Sequence, residues 1–238
     1  MTDIQKKEGT ASLLKKADVV LVLALGIFLL ITAARQAAYA LTIAPSTQTL
    51  DAILDREIVP PSDVDSLIKR ETSALNILDT AVGWADLGMA QGLRASYASG
   101  TEEAATLKEA AHQSLIRSLV RAPANPYIWL RLAVLRLDQG APDSEILTYW
   151  RQSHLTGPNE NRLYLARIGT GLGLWNDMTT ADRQALFHDI QYDWPQNQNE
   201  LVGMAAKPFS RAVIRSALLA DLTKLRAFEE IYALRGVK

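Results

Sequence analysis

The chain of 238 residues contains no cysteine. That absence excludes a disulfide framework, thiolate catalysis, cysteine-ligated zinc and iron–sulfur clusters. Aromatic residues are sparse at 7%, and there are only three histidines, His112, His154 and His188. Charge of one sign is also missing: 25 Lys+Arg face 26 Asp+Glu, a formal net charge of −1. A nucleic-acid binder needs a basic excess to neutralise phosphates, so no nucleic-acid partner is expected. What the chain has in quantity is apolar residues, 48% of the total, and they are unevenly spread.

Val19 to Ala34 reads VVLVLALGIFLLITAA, sixteen residues without a charge, bounded by Asp18 and Arg35. As a helix this run covers about 24 Å, somewhat less than a hydrocarbon core of about 30 Å. Extending the span to residues 17–41, with Arg35 snorkelling toward the headgroups and Tyr39 as an interfacial anchor, makes it long enough. Three readings compete. Ala38-Tyr39-Ala40 has the small-x-small form of a signal-peptide cleavage site, but Arg35 separates it from the apolar run. A buried core helix would need a polar side, and this segment is apolar all round. An uncleaved transmembrane helix is the expectation. Lys6, Lys7, Lys15 and Lys16 precede it, and after Arg35 the next cation is Arg56. The positive-inside rule then keeps residues 1–16 in the cytoplasm and sends the remainder across, into a periplasm-like compartment.

Residues 42–61, with Pro45, Pro60 and Pro61, read as a juxtamembrane linker holding one short helix around Leu50–Ile58. Ser62 and Asp65 are spaced like a capping box. Residues 62–238 are rich in Ala, Leu, Arg and Glu and show no strict alternation, so the fold class is all-α. A period runs through this region. Ala111, Leu115, Ser118 and Pro123 are spaced four, three and five; Ile146, Trp150, Ser153 and Pro158 repeat that spacing 35 residues later. Trp129 and Tyr164, each six residues after a proline, are also 35 apart.

These positions resemble the tetratricopeptide repeat, a helix pair marked by W-x2-L-G-x2-Y, then A-x3-F, then a closing proline. Trp84, Leu87 and Gly88 match the opening of one unit, Trp129, Leu132 and Ala133 that of the next. Tyr164 opens a third, with Arg167 and Ile168 in the leucine and glycine positions and a second helix over about Thr180–Tyr192. The second helix of the first unit arrives about eleven residues late, which predicts an insertion in its inter-helix loop over Ser99–Thr106, where Glu102-Glu103 would charge the start of the following helix favourably. Phe209 to about Arg235 carries one apolar stripe and is expected to form a single capping helix. The resemblance covers roughly residues 80–195. It implies a short α-solenoid whose first helices line an inner wall, and the lining positions fall on Tyr127, Leu130, Val134 and Leu137 in the second unit and Arg162 and Leu165 in the third. An apolar groove with a tyrosine suits a peptide segment of a protein partner.

No chemical motif accompanies the repeats. The histidines lack metal-ligand spacing, and His188 and Asp189, adjacent on a helix, point about 100° apart. Gly169, Gly171 and Gly173 lack the strand and Lys-Ser/Thr of a phosphate loop and read as a helix end or a close helix approach. Beyond residue 40 arginine outnumbers lysine 15 to five, and Arg117 and Arg121 share one helix face. The expectation is a protein with no catalytic, metal or cofactor site: an inner-membrane-anchored adaptor or assembly factor that binds a protein partner of an envelope machine, in an oligomeric state the sequence leaves open. Pro123–Ala133 resembles the type that accompanies bacterial polysaccharide synthesis and export. Two alternatives stand beside it. One is a chaperone-like factor of secretion or cytochrome maturation; the other is a cell-wall glycan-acting enzyme, which would need Glu229 or Glu230 in a cleft with a raised pKa.

Overall fold

The structure, a computed structural model, describes residues 3–55 and 57–235, with side-chain surroundings from Val19 onward. The lysines at 6, 7, 15 and 16 lie outside the described side chains. The protein is all-helical, with no strand among the described residues. It divides into two compact units at Gly83–Trp84.

The first unit is built on α1 (Asp3–Ile43), a continuous helix of 41 residues. Its most apolar 18-residue window has a mean hydropathy of 2.2, and none of that window is buried. The helix is therefore long and apolar enough to cross a membrane, and the core-helix reading fails because no protein covers Val19 to Ile31. A helix satisfies its own backbone hydrogen bonds, which is what an apolar environment demands.

Beyond Ala34 the surroundings of α1 change. A short 3-10 turn (Ala44–Ser46) leads into α2 (Thr47–Leu54) and then α3 (Pro61–Ile77), which packs back along α1. Val64, Leu67, Ala74 and Leu75 recur at helical spacing and are buried on one face of α3. Arg35 donates from Nε and Nη2 to the Ile77 carbonyl at 3.0 and 2.7 Å, placing a cation at the carboxyl end of α3. The Tyr39 hydroxyl accepts from Thr80 Oγ1 at 3.3 Å. Arg35 and Tyr39 thus hold protein groups at the point where α3 meets α1. The stretch expected to be a linker is mostly helical, and α3 belongs with α1 and not with the repeats. The short helix lies earlier than Leu50–Ile58, and Ser62 caps nothing: the fixed φ of Pro61 opens α3 at its first position, so Ser62 already lies inside the helix.

The second unit is a series of helix pairs. α4 (Ala81–Ser96) and α5 (Thr101–Arg121) form the first, α6 (Pro126–Asp138) and α7 (Asp143–Thr156) the second, α8 (Tyr164–Gly173) and α9 (Thr180–Asp193) the third. In the first pair a Cβ on Gly88 would come within 2.9 Å of Leu115, so only glycine allows that crossing. The extra residues of this pair do not form a loop. Thr101 to Thr106 are helical and lengthen α5 to 21 residues, because Thr-Glu-Glu-Ala-Ala is itself helix-forming and Glu102 and Glu103 complement the positive end of the dipole.

α6 starts at Pro126, with the Asn125 side chain accepting from the Tyr127 amide at 3.1 Å. It packs against α5, α7 and α8, so each pair is stapled to the next. Trp129 donates from Nε1 to the Pro123 carbonyl at 2.8 Å and stacks on Tyr149, tying the proline turn to the helix it introduces. α8 closes after Gly173, and Gly171 faces Leu186 and Met178 so closely that an added Cβ would lie 3.0 and 3.1 Å away. α9 begins with a reciprocal capping box between Thr179 and Asp182.

The carboxyl-terminal stripe is interrupted. α10 (Gln198–Met204), α11 (Pro208–Leu218) and α12 (Leu222–Leu234) replace the single capping helix. Asp221 breaks the stripe by accepting from the amides of Thr223 and Lys224, at 3.0 and 3.2 Å, as the cap of a new helix. α10 packs on α8, α11 on α9, and α12 on both α10 and α11. Their buried side chains, among them Leu201, Val202, Ile214, Leu218 and Phe228, join Trp150, Ile168, Leu186 and Trp194 in one core.

Candidate partner groove

The expected lining residues fall on α6, on the turn before α8 (Arg162) and on the first turn of α8 (Leu165), and α6 and α8 are in contact. They do not share one environment. Leu130 is buried in the core together with Ile146, Trp150 and Ile168, so it packs helices and is closed to a partner. Tyr127 and Leu165 are half-buried against the same core. Val134 and Leu137 are exposed, three residues apart on α6, and Arg162 is exposed at the start of the third pair. Burial pushes the Tyr127 phenol up, and a hydrogen bond to Glu160 adds to that, so Tyr127 is neutral and joins α6 to the turn before α8.

Charged side chains flank this apolar pair. Arg136, between Val134 and Leu137 along α6, bonds Glu145 through Nε at 2.7 Å and Nη2 at 3.1 Å. Asp86 of α4 is pushed up to about 6 by burial, partly offset by the charge of Arg131 on α6. Arg117 and Arg121 share a face, as their spacing requires, and both lie over the Trp84 ring at 4.6 and 5.7 Å. Packing the first pair is thus one use of that arginine pair.

A buried polar cluster lies behind the groove, and its partnerships were not foreseen. Arg167 is fully buried where the preceding unit has Leu132. It donates from Nε to Ser153 Oγ at 3.0 Å and from Nη2 to the carbonyls of Ser153 and Gly157 at 2.5 and 2.9 Å. Its own carbonyl accepts from Trp150 Nε1 at 3.0 Å. His154 Nε2 lies 2.8 Å from Oδ2 of the fully buried Asp189, whereas His188 Nδ1 is 3.6 Å from the other oxygen. The signal was in the period: His154 and Asp189 are 35 residues apart, so they occupy equivalent positions on neighbouring second helices. No three or more His, Asp or Glu side chains among the described residues are grouped to hold a metal ion.

The glutamate required by the glycan-enzyme alternative is placed for another role. Burial acts to raise the Glu229 carboxyl, but bonds from Arg211, at 2.8 Å, and from Arg215 outweigh it and hold the group below the ordinary glutamate range. A carboxylate fixed between two guanidiniums is a poor proton donor at neutral pH. Glu229 therefore fastens α12 to α11, and Glu230 beside it is exposed.

No family model, curated protein or solved structure matches this chain.

Proposed function

We propose that the protein is a non-enzymatic adaptor, anchored in the bacterial inner membrane by α1 with its amino terminus in the cytoplasm and its helical pairs in the periplasm. There it binds a peptide segment of a protein partner within an envelope assembly. The observation that carries the binding role is the exposed apolar pair Val134 and Leu137 on α6, a helix whose other side is held in the core. Both are exposed and gain from burial under a partner. The order of helix contacts, with α6 touching α5 before it and α8 after it, and α8 touching α7 before it and α10 after it, supports the tetratricopeptide resemblance and with it the adaptor role. Polysaccharide synthesis or export is the machine favoured by the Pro123–Ala133 segment. The anchor raises the effective concentration of the array near any membrane-bound partner.

Retention of the anchor is supported by α3. Cleavage after Ala40 would remove Arg35 and Tyr39, leaving the end of α3 uncapped and its apolar face without a wall. The adaptor role is tested by a photo-crosslinking residue at Val134 in native membranes, with Thr148, exposed on α7, as the control site. A discrete adduct at Val134 that is missing at Thr148 is the expected result; equal labelling at both sites contradicts the groove. Orientation is tested by a carboxyl-terminal reporter active only outside the cytoplasm, which is expected to be active.

A further inference from the structure

Short turns make successive helices of the second unit alternate in direction, so the second helices all end on one edge of the array. Hydrogen bonds fix that register: Gln191 near the end of α9 donates to the carbonyl of Ala217 near the end of α11 at 2.8 Å, and His154 and Asp189 join the ends of α7 and α9. Each second helix carries a large apolar residue at its last turn that is turned out to solvent. These are Val120, 76% exposed, on α5; Leu155, 73%, on α7; Tyr192, 61%, on α9; and Leu219, 58%, at the end of α11. Val120 and Leu155 are one 35-residue period apart. Single exposed apolar residues are ordinary, but a repeated row on one edge is not.

Charge is distributed by edge as well. In the three full pairs, the fully exposed charges at the edge where second helices end are Arg117, Arg121 and Arg162, all basic, with Glu160 half-buried in the same turn as Arg162. Asp189 and Asp193 on that edge are buried. At the opposite edge the fully exposed charges are Glu102, Glu103, Asp138, Asp143 and Asp177, all acidic, with Glu103 paired to the half-buried Arg94 at 3.1 Å and Asp138 to the half-buried Lys108 at 2.6 Å. Helix dipoles explain part of this, since acids at the starts of α5 and α7 are favourable. They do not explain Arg162, at the start of the third pair, which has the unfavourable sign for its helix; Asp138, the last residue of α6, has it too and is paired with Lys108 of α5 at 2.6 Å.

We propose that the edge carrying Val120, Leu155, Tyr192 and Leu219 with Arg117, Arg121 and Arg162 rests on the anionic surface of a lipid bilayer. Apolar side chains enter the headgroup boundary while guanidiniums pair with lipid phosphates, and the acidic edge is repelled outward. The chemistry is that of a peripheral contact, too weak to hold a free protein. It suffices for a domain already confined to the membrane by α1, so the inference rests on the anchor proposed above.

The missing cysteines make the test direct, because one introduced cysteine is the only labelling site. The full chain is placed in nanodiscs of phosphatidylcholine with or without phosphatidylglycerol, carrying a nitroxide at Leu155→Cys, Asp143→Cys or Leu25→Cys. Accessibility to oxygen is compared with accessibility to a water-soluble nickel complex. With phosphatidylglycerol, Leu155→Cys is expected to show an oxygen-to-nickel ratio several-fold above that of Asp143→Cys. Adding Arg162→Glu, or raising the salt to screen the headgroup charge, should bring the ratio down toward the Asp143→Cys value. A Leu155→Cys ratio equal to that of Asp143→Cys, with Leu25→Cys immersed, overturns the edge contact and leaves the anchor standing. If Leu25→Cys is itself aqueous, the anchor fails, and the edge proposal with it. A ratio at Leu155→Cys that is high but indifferent to lipid charge, salt and Arg162→Glu overturns the role given to the arginines.

Discussion

Arg167 is the residue at which the third unit departs most from the pattern of the second. A guanidinium stands where Leu132 stands one period earlier; Ser153, the Gly157 carbonyl and the nearby charge of Asp189 hold it, while its buried Nη1 has no hydrogen-bond partner. Removing it leaves a buried carboxylate beside a cavity, so Arg167→Ala is expected to cost about 3–5 kcal/mol, read as a fall in the urea midpoint. Two aspartates give opposite pH signatures. The Asp182 carboxyl is held at about 2, chiefly by hydrogen bonds from Arg151 and with further help from Thr179. Its contribution is therefore present above the ordinary aspartate value of 3.8 and is lost as pH falls through about 2. Asp182→Asn should lower stability at neutral pH by about 2 kcal/mol and flatten the acid limb of the urea midpoint. Asp86 is the reverse case. Its raised value means that stability is highest below 3.8 and declines as pH rises through about 6. Asp86→Asn should raise the neutral-pH midpoint and remove the slope between those values. Neither partnership was legible in the sequence as a motif, because Arg151 and Asp182 are 31 residues apart and Asp86 and Arg131 are 45 apart. Only the stacking of the helix pairs brings them together.

Among the elements, the repeat spacing gave the helix pairs their places. Proline turns at Pro123 and Pro158, and the aromatic residues six positions later, mark the ends of α5 and α7 and the helices α6 and α8 that follow them, whereas the start of α5 lies earlier than the spacing predicts. The same reasoning missed where a local signal competed with the stripe. The apolar spacing of Leu218, Leu222 and Leu225 predicts that Leu219-Ala220-Asp221 continues a helix, yet the Asp221 carboxylate caps two amides and restarts the chain as α12. Asp221→Ala is expected to cost about 1 kcal/mol by loss of that cap, measured by urea denaturation. At the first pair the close crossing is stricter. Gly88→Val places methyl groups against Leu115 and the Ala111 carbonyl and should destabilise by about 1–3 kcal/mol, whereas Gly100→Ala, in open space before α5, should be nearly neutral. Of the groove, the spacing located α6 and α8 as neighbouring first helices. It did not distinguish Leu130, buried between them, from Val134 one turn on, because both lie on the apolar side of α6 and only the depth of the next pair decides which is covered.

For the whole molecule, the sequence treats the apolar run, the proline-rich stretch and the repeats as three successive parts. The fold joins the first two. α1 is clad by α3 from Arg35 onward, so the helix that is apolar enough to enter a membrane is also the wall of a folded unit. On this account the amino-terminal segment is permanent, and the protein remains attached wherever its helical pairs work. The direct measurement is the intact mass of the protein extracted from membranes of the native host. The account predicts the full chain of 26.2 kDa, released only by detergent. A soluble species beginning at Leu41 would contradict it.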